Sequence, residues 1–147
     1  MNPNTALSLH ATAIALDGRG ILLTGPSGCG KSDLALRMIH LHAATLIADD
    51  LVCLLRDGNR LFATAPTRAP PRLHVRGIGI TSVPQWQADT PLALVINLEP
   101  TTAQGDVGPR LDISEPMLDL RLPRVQMNPW EISAPIKLIL ALERWGH

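Results

Sequence analysis

One short segment constrains the fold of this chain more than any other. Residues 25–32 read Gly-Pro-Ser-Gly-Cys-Gly-Lys-Ser, which fits the phosphate-binding loop pattern of Gly, four residues, Gly, Lys and Ser/Thr. An apolar run at 21–24 precedes the loop, and a helical pattern at 33–42 follows it. Strand, glycine-rich turn and helix is the context that the motif requires. The alternative is a glycine-rich turn followed by a chance Lys-Ser pair.

The residues of this loop have distinct predicted roles. Backbone N–H groups of residues 28–32 would converge on a phosphate at a helix N-terminus, where the helix dipole favours negative charge. Lys31 is predicted to neutralise the β- and γ-phosphates, and the Ser32 hydroxyl to bind Mg²⁺. The predicted nucleotide-binding residues in the loop are Gly25, Pro26, Ser27, Gly28, Cys29, Gly30, Lys31 and Ser32.

The rest of the chain predicts an α/β fold with a mixed sheet. Asp-Gly at 17–18 and Asp-Gly-Asn at 57–59 each join two apolar runs, which is typical of β-hairpins. Buried strands are expected at 45–48 and 92–98, and a nearly all-apolar helix at 32–42 is expected to be buried. A C-terminal helix is expected after Ser133 as N-cap, with Gly146 at its end. We expect one domain over residues 1–147, with the phosphate loop between a core strand and that buried helix.

Composition excludes several function classes. Lys plus Arg and Asp plus Glu are 13 each, so no basic field for nucleic acid is expected. Neither a signal peptide nor an apolar run of membrane-spanning length is visible, which predicts a cytoplasmic protein without a membrane partner. The two cysteines give no disulfide framework. Cys29 could be redox-sensitive beside the phosphate site, or it could simply be a small side chain that the loop tolerates.

Two adjacent carboxylates follow the strand at 45–48. Ligands of open α/β sheets bind at the carboxyl ends of strands, so Asp49 and Asp50 should face the γ-phosphate. One could take a proton from an attacking hydroxyl while the other holds Mg²⁺. The alternative is a polar strand end that begins a turn.

Two further features are weak by themselves. In Arg76-Gly77-Ile78-Gly79-Ile80, the glycines would allow close backbone approach and Arg76 could bind phosphate, although a β-bulge with an exposed arginine would look the same. His10 precedes the first strand, where a histidine is commonly a solvated or core imidazole.

Together, His10, the phosphate loop, the Ala-Asp-Asp strand end and the block at 73–80 resemble HPr kinase/phosphorylase. The resemblance covers nearly the whole chain, and it is closest to the short proteobacterial form without the family's N-terminal domain. It implies a fold of the HPr kinase and PEP carboxykinase type and a hexamer. It also implies ATP-dependent phosphorylation of a serine in the phosphocarrier protein HPr, reversed by inorganic phosphate with release of pyrophosphate.

The resemblance also implies roles for individual residues. Asp49 would be the base that deprotonates the acceptor serine and the acid of the reverse reaction. His10 matches a family active-site histidine, and Arg110 is the nearest candidate for a family arginine. Arg124 and Asn128 fall in the region of the family's phosphorolysis loop.

One position departs from the family pattern. His74 stands where the family has a metal-binding glutamate, and imidazole is a poor ligand for Mg²⁺. The predicted metal ligands are Ser32, Asp50 and His74, with weakened Mg²⁺ binding or a shift toward Mn²⁺. Two alternatives remain open: a nucleotide-binding sensor with weakened catalysis, and a small-molecule P-loop kinase. The latter usually carries a helical lid, for which the proline-rich second half leaves no room.

Overall fold

Strands dominate the part of the chain that the computed structural model describes, residues 6–98 and 110–146. The strands are β1 (Ala6–Leu9), β2 (Thr12–Leu16), β3 (Arg19–Thr24), β4 (Thr45–Ala48), β5 (Val52–Asp57), β6 (Arg60–Thr64), β7 (Arg72–Val75), β8 (Gly79–Ser82), β9 (Thr90–Asn97), β10 (Arg110–Met117) and β11 (Leu120–Gln126). The helices are α1 (Lys31–His42) and α2 (Ala134–Trp145). The predicted hairpins β2–β3 and β5–β6 are both present.

The main sheet is mixed and centres on β3 and β9. Its strand order is β1-β5-β6-β9-β3-β2-β4. β9 runs parallel to β3 on one side and parallel to β11 on the other. β6 pairs with the first residues of β9 and β11 with its last residues, so two strands share one edge of β9. β7 and β8 form a separate two-stranded sheet.

The middles of the two central strands are apolar, and both of their faces are covered. Leu23 and Ile96 point to a core that includes both helices, whereas Leu22 and Val95 point to a second core beneath β5 and β6. All four side chains are fully buried. Alternation of side chains across a strand produces this two-sided burial, which explains why the runs at 21–24 and 92–98 lack polar alternation.

Helix α1 begins at Lys31, slightly earlier than predicted, and only one of its faces is buried. Leu34, Ala35, Met38 and Ile39 are buried, while Leu41 is 69% exposed. The helix was predicted to be buried because its residues are nearly all apolar, and that prediction was wrong for the exposed face. Residues spaced three and four apart share a helix face, and that spacing describes the buried set. Ala43 ends the helix in the left-handed conformation, with φ of 60°.

The second half differs from the prediction in two places. The hairpin β10–β11 was not predicted, and its ladder contains Pro116 and Pro123, although proline cannot donate a ladder hydrogen bond. Helix α2 has Ser133 at its N-cap and Pro135 in its first turn as predicted, but the Ser133 side chain makes no capping hydrogen bond. In the described ranges, neither helix is long and apolar enough to cross a bilayer.

Candidate active site

A cleft of about 620 Å³ opens at the sheet edge where β3 and β4 end. β2 is antiparallel to both β3 and β4, so these two strands point the same way and their carboxyl ends lie together. The phosphate loop follows β3, and Asp49 and Asp50 follow β4. The predicted convergence of the loop and the carboxylates is therefore present in the structure. Residues lining the cleft include Thr12, Ser27, Gly28, Gly30, Lys31, Ser32, Asp49, Asp50, Arg72, His74, Arg76 and Trp130.

The phosphate loop takes a shape that only glycine adopts readily at several positions. Gly28 and Gly30 have φ of 82° and 102°, in the region where a side chain is strained. The Cys29 amide donates to the Pro26 carbonyl at 3.1 Å, which closes the turn. Gly30 is the N-cap of α1, and its carbonyl accepts from the Leu34 amide at 2.9 Å. The loop thus leads directly into the positive end of the helix dipole.

Lys31 folds over the loop from the first turn of α1. Its ammonium Nζ donates to the carbonyls of Gly25 at 2.7 Å and Pro26 at 3.1 Å. The Cys29 Sγ lies 3.9 Å from Nζ, but this residue is only 7% exposed and belongs to the core that contains both helices. Cys29 therefore packs inward as a small apolar side chain. This favours the interpretation that the loop simply tolerates a small residue here over that of a redox-sensitive thiol.

Asp49 is the centre of the polar network in the cleft. Its Oδ1 accepts from the Thr12 hydroxyl at 2.7 Å, and the Ser32 hydroxyl lies 2.9 and 3.0 Å from its two oxygens. The backbone amides of Asp50 and His74 also donate to it, at 3.0 and 2.9 Å. Donors from β2, α1 and β7 therefore fix the orientation of one carboxylate beside the phosphate loop, as a preorganised site requires.

Asp50 adopts an unusual backbone conformation at the same place. Its φ is 71°, and the Leu51 amide donates to the Asp49 carbonyl at 2.8 Å, the hydrogen bond of a γ-turn. Strained residues of this kind cost on the order of 1–3 kcal/mol and cluster at functional sites. The Asp50 side chain is exposed and lines the cleft, whereas Asp49 is half-buried. The two carboxylates thus have different environments despite being neighbours.

The hairpin β7–β8 supplies another part of the cleft lining. Arg72 and His74 of β7 and Arg76 of the connecting turn line the cleft, so two arginines belong to the same cleft as the phosphate loop and the two aspartates. Gly77 and Gly79 have φ of 84° and 115°, and a Cβ would meet open space at both. Positive φ in the connecting turn and at the first residue of β8, rather than close backbone approach or a β-bulge, explains these glycines.

The segment after β11 borders the loop on its other side. Arg37 donates from Nη2 to the Pro129 carbonyl at 2.5 Å, and from Nε to Asp33 at 3.0 Å. The Trp130 amide donates to Asn128 Oδ1 at 3.0 Å. Trp130 is 58% exposed, so it is not a core residue. Arg124 lies within β11, beside Val95 of β9.

Of the predicted catalytic residues, His10 is described in full and Arg110 only in its backbone. His10 is exposed between β1 and β2 and is not among the residues that line this cleft. Arg110 begins β10, and its side chain lies outside the described residues. Their predicted roles stay predictions.

Thr12 and Arg72 are cleft residues that were not predicted from the sequence. Thr12 is fully buried, and a polar side chain in an otherwise apolar strand was the available signal. Arg72 precedes the resembling block by one residue, and a strand-end arginine carries no pattern of its own.

The donor set could hold a cation only with help from a ligand. Among the described residues, no group of three His, Cys, Asp or Glu side chains is placed to bind a metal. Hard cations such as Mg²⁺ are commonly held by one or two carboxylates together with phosphate oxygens and water. The Ser32 hydroxyl and the two aspartates fit that pattern. Phosphate binding, cation binding and proton transfer can therefore occur within one cleft.

Comparison with known proteins identifies the family of this chain. Residues 3–143 match the family model of the HPr serine kinase C-terminal domain. The chain belongs to this family. It is 32% identical over 143 residues to the HPr kinase/phosphorylase of Lactobacillus acidophilus, covering 90% of this chain and 44% of that protein. With that of Mycoplasma pneumoniae it is 35% identical over 100 residues, which are 64% of this chain and 32% of the relative.

A solved structure gives the same fold. The Hpr(Ser) kinase/phosphatase from Coxiella burnetii superposes with a TM-score of 0.78 at 25% identity, covering 94% of this chain and 96% of that one. The predicted mixed α/β fold with a C-terminal helix is thereby confirmed. The chain spans less than half the length of the two HPr kinase/phosphorylases above.

Proposed function

We propose that this chain transfers the γ-phosphoryl group of ATP to a serine of an HPr-like phosphocarrier protein and reverses the transfer with inorganic phosphate. The observation that carries the proposal is the direct contact between the Ser32 hydroxyl of the phosphate loop and the Asp49 carboxylate. This contact joins a phosphate-binding element to a candidate base. The relatives named HPr kinase/phosphorylase support the choice of substrate.

The phosphate loop would bind the nucleotide. Amides of residues 28–32 and the ammonium of Lys31 would surround the β- and γ-phosphates. To do so, Lys31 must exchange its hydrogen bonds with the Gly25 and Pro26 carbonyls for phosphate oxygens. Arg72 and Arg76 line the same cleft and would stabilise the charge on the transferring group.

Asp49 would move the proton. In the forward direction the serine Oγ attacks the γ-phosphorus, its proton passes to Asp49, and ADP leaves with the electrons of the broken P–O bond. In the reverse direction an oxygen of inorganic phosphate attacks the phosphoserine phosphorus. Asp49 then returns the proton to the departing serine oxygen, and pyrophosphate is the other product.

A divalent cation, Mg²⁺ or Mn²⁺, would neutralise phosphate charge in this site. Ser32, Asp50 and the side chain at position 74 are the proposed ligands, assisted by phosphate oxygens. The His74 amide is bonded to Asp49, which places position 74 next to the carboxylate pair.

Replacing His74 by Glu should raise Mg²⁺-dependent activity, because a carboxylate is a better ligand for this hard ion than imidazole. The hydrogen bond to Asp49 comes from the backbone of residue 74, so the substitution leaves that bond intact. Initial rates measured against Mg²⁺ and Mn²⁺ concentration would test the effect, with His42→Glu on α1 as the control. Unchanged metal dependence would show that position 74 does not hold the cation.

The function itself is tested by incubating the chain with ATP, Mg²⁺ or Mn²⁺ and an HPr-like protein from the same organism, followed by mass measurement. A phosphoserine that disappears on addition of inorganic phosphate, with pyrophosphate released, is the expected result. ATP binding without any phosphoserine would indicate a nucleotide-binding sensor with weakened catalysis. Transfer only to small alcohols would indicate a small-molecule kinase. Native mass spectrometry of the same sample would test the predicted hexamer.

A further inference from the structure

Trp130 lies on the side of the phosphate loop away from Asp49. β9 and β11 are parallel to β3, so their carboxyl ends reach the same edge of the sheet as the loop. The strand order across this edge is β11, β9, β3, β2, β4. Asp49 follows β4 at one end of that row, and Trp130 follows β11 at the other. The phosphate loop, after β3, lies between them.

The backbone that carries Trp130 is held in place by three hydrogen bonds, two of which come from other elements. The Met127 amide donates to the Asn97 carbonyl at 3.0 Å, Arg37 of α1 donates to the Pro129 carbonyl, and Asn128 accepts from the Trp130 amide. Pro129 is buried, whereas Trp130 is 58% exposed. A large apolar side chain on a fixed backbone is therefore left open to the cleft that it lines.

The indole ring is in contact with the loop itself. A Cβ at Gly30 would lie 3.1 Å from Cζ2 and 3.2 Å from Cη2 of Trp130. The six-membered ring thus borders the residue at which the phosphate loop enters α1. The absence of a side chain at Gly30 allows this contact as well as the φ of 102°.

The positions of Ser32 and Asp49 determine the orientation in which the nucleotide would bind in the cleft. The γ-phosphate end faces Ser32 and Asp49, so the nucleoside must leave the loop on the opposite side, toward Trp130. The acceptor protein must reach the γ-phosphate and would therefore approach past Arg72 and Arg76. We propose that Trp130 is the platform on which the purine base of the nucleotide stacks. This inference rests on the proposed nucleotide-dependent function.

The chemistry suits this assignment. Every base has a π-face, and stacking on an aromatic side chain is among the stronger contacts that a base makes with a protein. Indole offers a large rigid surface at little cost in conformational entropy because it has only two side-chain torsions. Recognition by stacking alone would make Trp130 a determinant of affinity for purine over pyrimidine nucleotides rather than of ATP over GTP.

The test compares ATP with inorganic tripolyphosphate, which has the same phosphates and no base. By calorimetry, Trp130→Ala should weaken ATP binding by about 10- to 100-fold and leave tripolyphosphate binding unchanged. Trp130→Phe should retain most of the ATP affinity. Trp86→Ala is the matched control, because Trp86 is also partly exposed, at 44%, and is not among the cleft-lining residues. It should change neither affinity.

Other results of this comparison would contradict the proposed role of Trp130. Equal losses for both ligands would give Trp130 a merely structural role in the loop, and unchanged ATP affinity would overturn the platform. A raised KM for the carrier protein with unchanged ATP affinity would assign Trp130 to the acceptor instead. If the unmodified chain bound tripolyphosphate but not ATP, the base would have no site. Failure to bind either ligand would overturn the proposed function as well. Failure of the stacking proposal alone can therefore be distinguished from failure of the proposed function.

Discussion

Replacing Asp49 by Asn should lower the rate of phosphoserine formation by about 10²- to 10⁴-fold, the usual contribution of a positioned general base. Asparagine has nearly the same shape but takes up no proton at neutral pH. Affinity for ATP should fall much less, because the loop amides and Lys31 remain. The rate is measured by mass spectrometry of the carrier protein, and the affinity by calorimetry.

The same substitution should also destabilise the fold. Asp49 accepts hydrogen bonds from the backbone amides of Asp50 and His74, which cannot be reoriented. Asparagine keeps one acceptor oxygen and adds an NH₂ group that confronts a donor, so a loss of about 1–3 kcal/mol in the free energy of unfolding is expected. Thermal unfolding measures this loss and shows whether the variant is folded at the assay temperature.

The matched control is Asp57→Asn, which alters an exposed carboxylate at the turn of the β5–β6 hairpin. It should affect neither rate nor stability. Ser32 is a proposed cation ligand, and its hydroxyl contacts both Asp49 oxygens. A lower rate in Asp49→Asn could therefore come from weaker cation binding or from loss of the base, and the two causes must be separated. Recovery of Asp49→Asn at high Mn²⁺ would assign Asp49 to cation binding, and a rate near that of the unmodified chain would remove it from the mechanism.

Local patterns predicted the parts of the fold that depend on neighbouring residues. The loop, α1, the two Asp-Gly hairpins and the C-terminal helix each have a motif, a periodicity or a turn signal within a few residues. Burial on both faces could also be inferred for β9 from its unbroken apolar run. The hairpin β10–β11 could not be inferred from its sequence, because its ladder contains Pro116 and Pro123, and proline is uncommon inside strands.

The site was predictable to the extent that its residues lie in recognisable runs. The approach of Asp49 to the loop could be predicted from its position at the carboxyl end of a strand, where ligands of open α/β sheets bind. The contacts of Thr12 and Trp130 could not be predicted in this way. The contact of Thr12 with Asp49 depends on the pairing of β2 with β4. The contact of Trp130 depends on the path of the chain after β11, which brings Pro129 and Trp130 to Arg37 and Gly30, more than 90 positions away in the sequence.

Replacing Lys31 by Met should lower the rate by about 10²- to 10³-fold, comparable to removal of one preorganised donor to a developing charge. Methionine keeps a similar length and removes the charge. Unlike the change at Trp130, this one should weaken ATP and tripolyphosphate together, because Lys31 is proposed to contact phosphate and not the base. Calorimetry with both ligands, together with the phosphoserine assay, measures the effect.

The chain offers a close control for this variant, since Lys137 is its other lysine. Lys137 pairs with Glu131 near the start of α2, and Lys137→Met removes the same charge outside the cleft. It should leave phosphate affinity unchanged. Loss of net charge alone would affect both variants equally, whereas a direct contact affects only Lys31→Met. Retained tripolyphosphate affinity in Lys31→Met would mean that the bonds from Nζ to the Gly25 and Pro26 carbonyls are its role, and that the loop binds phosphate through its amides alone.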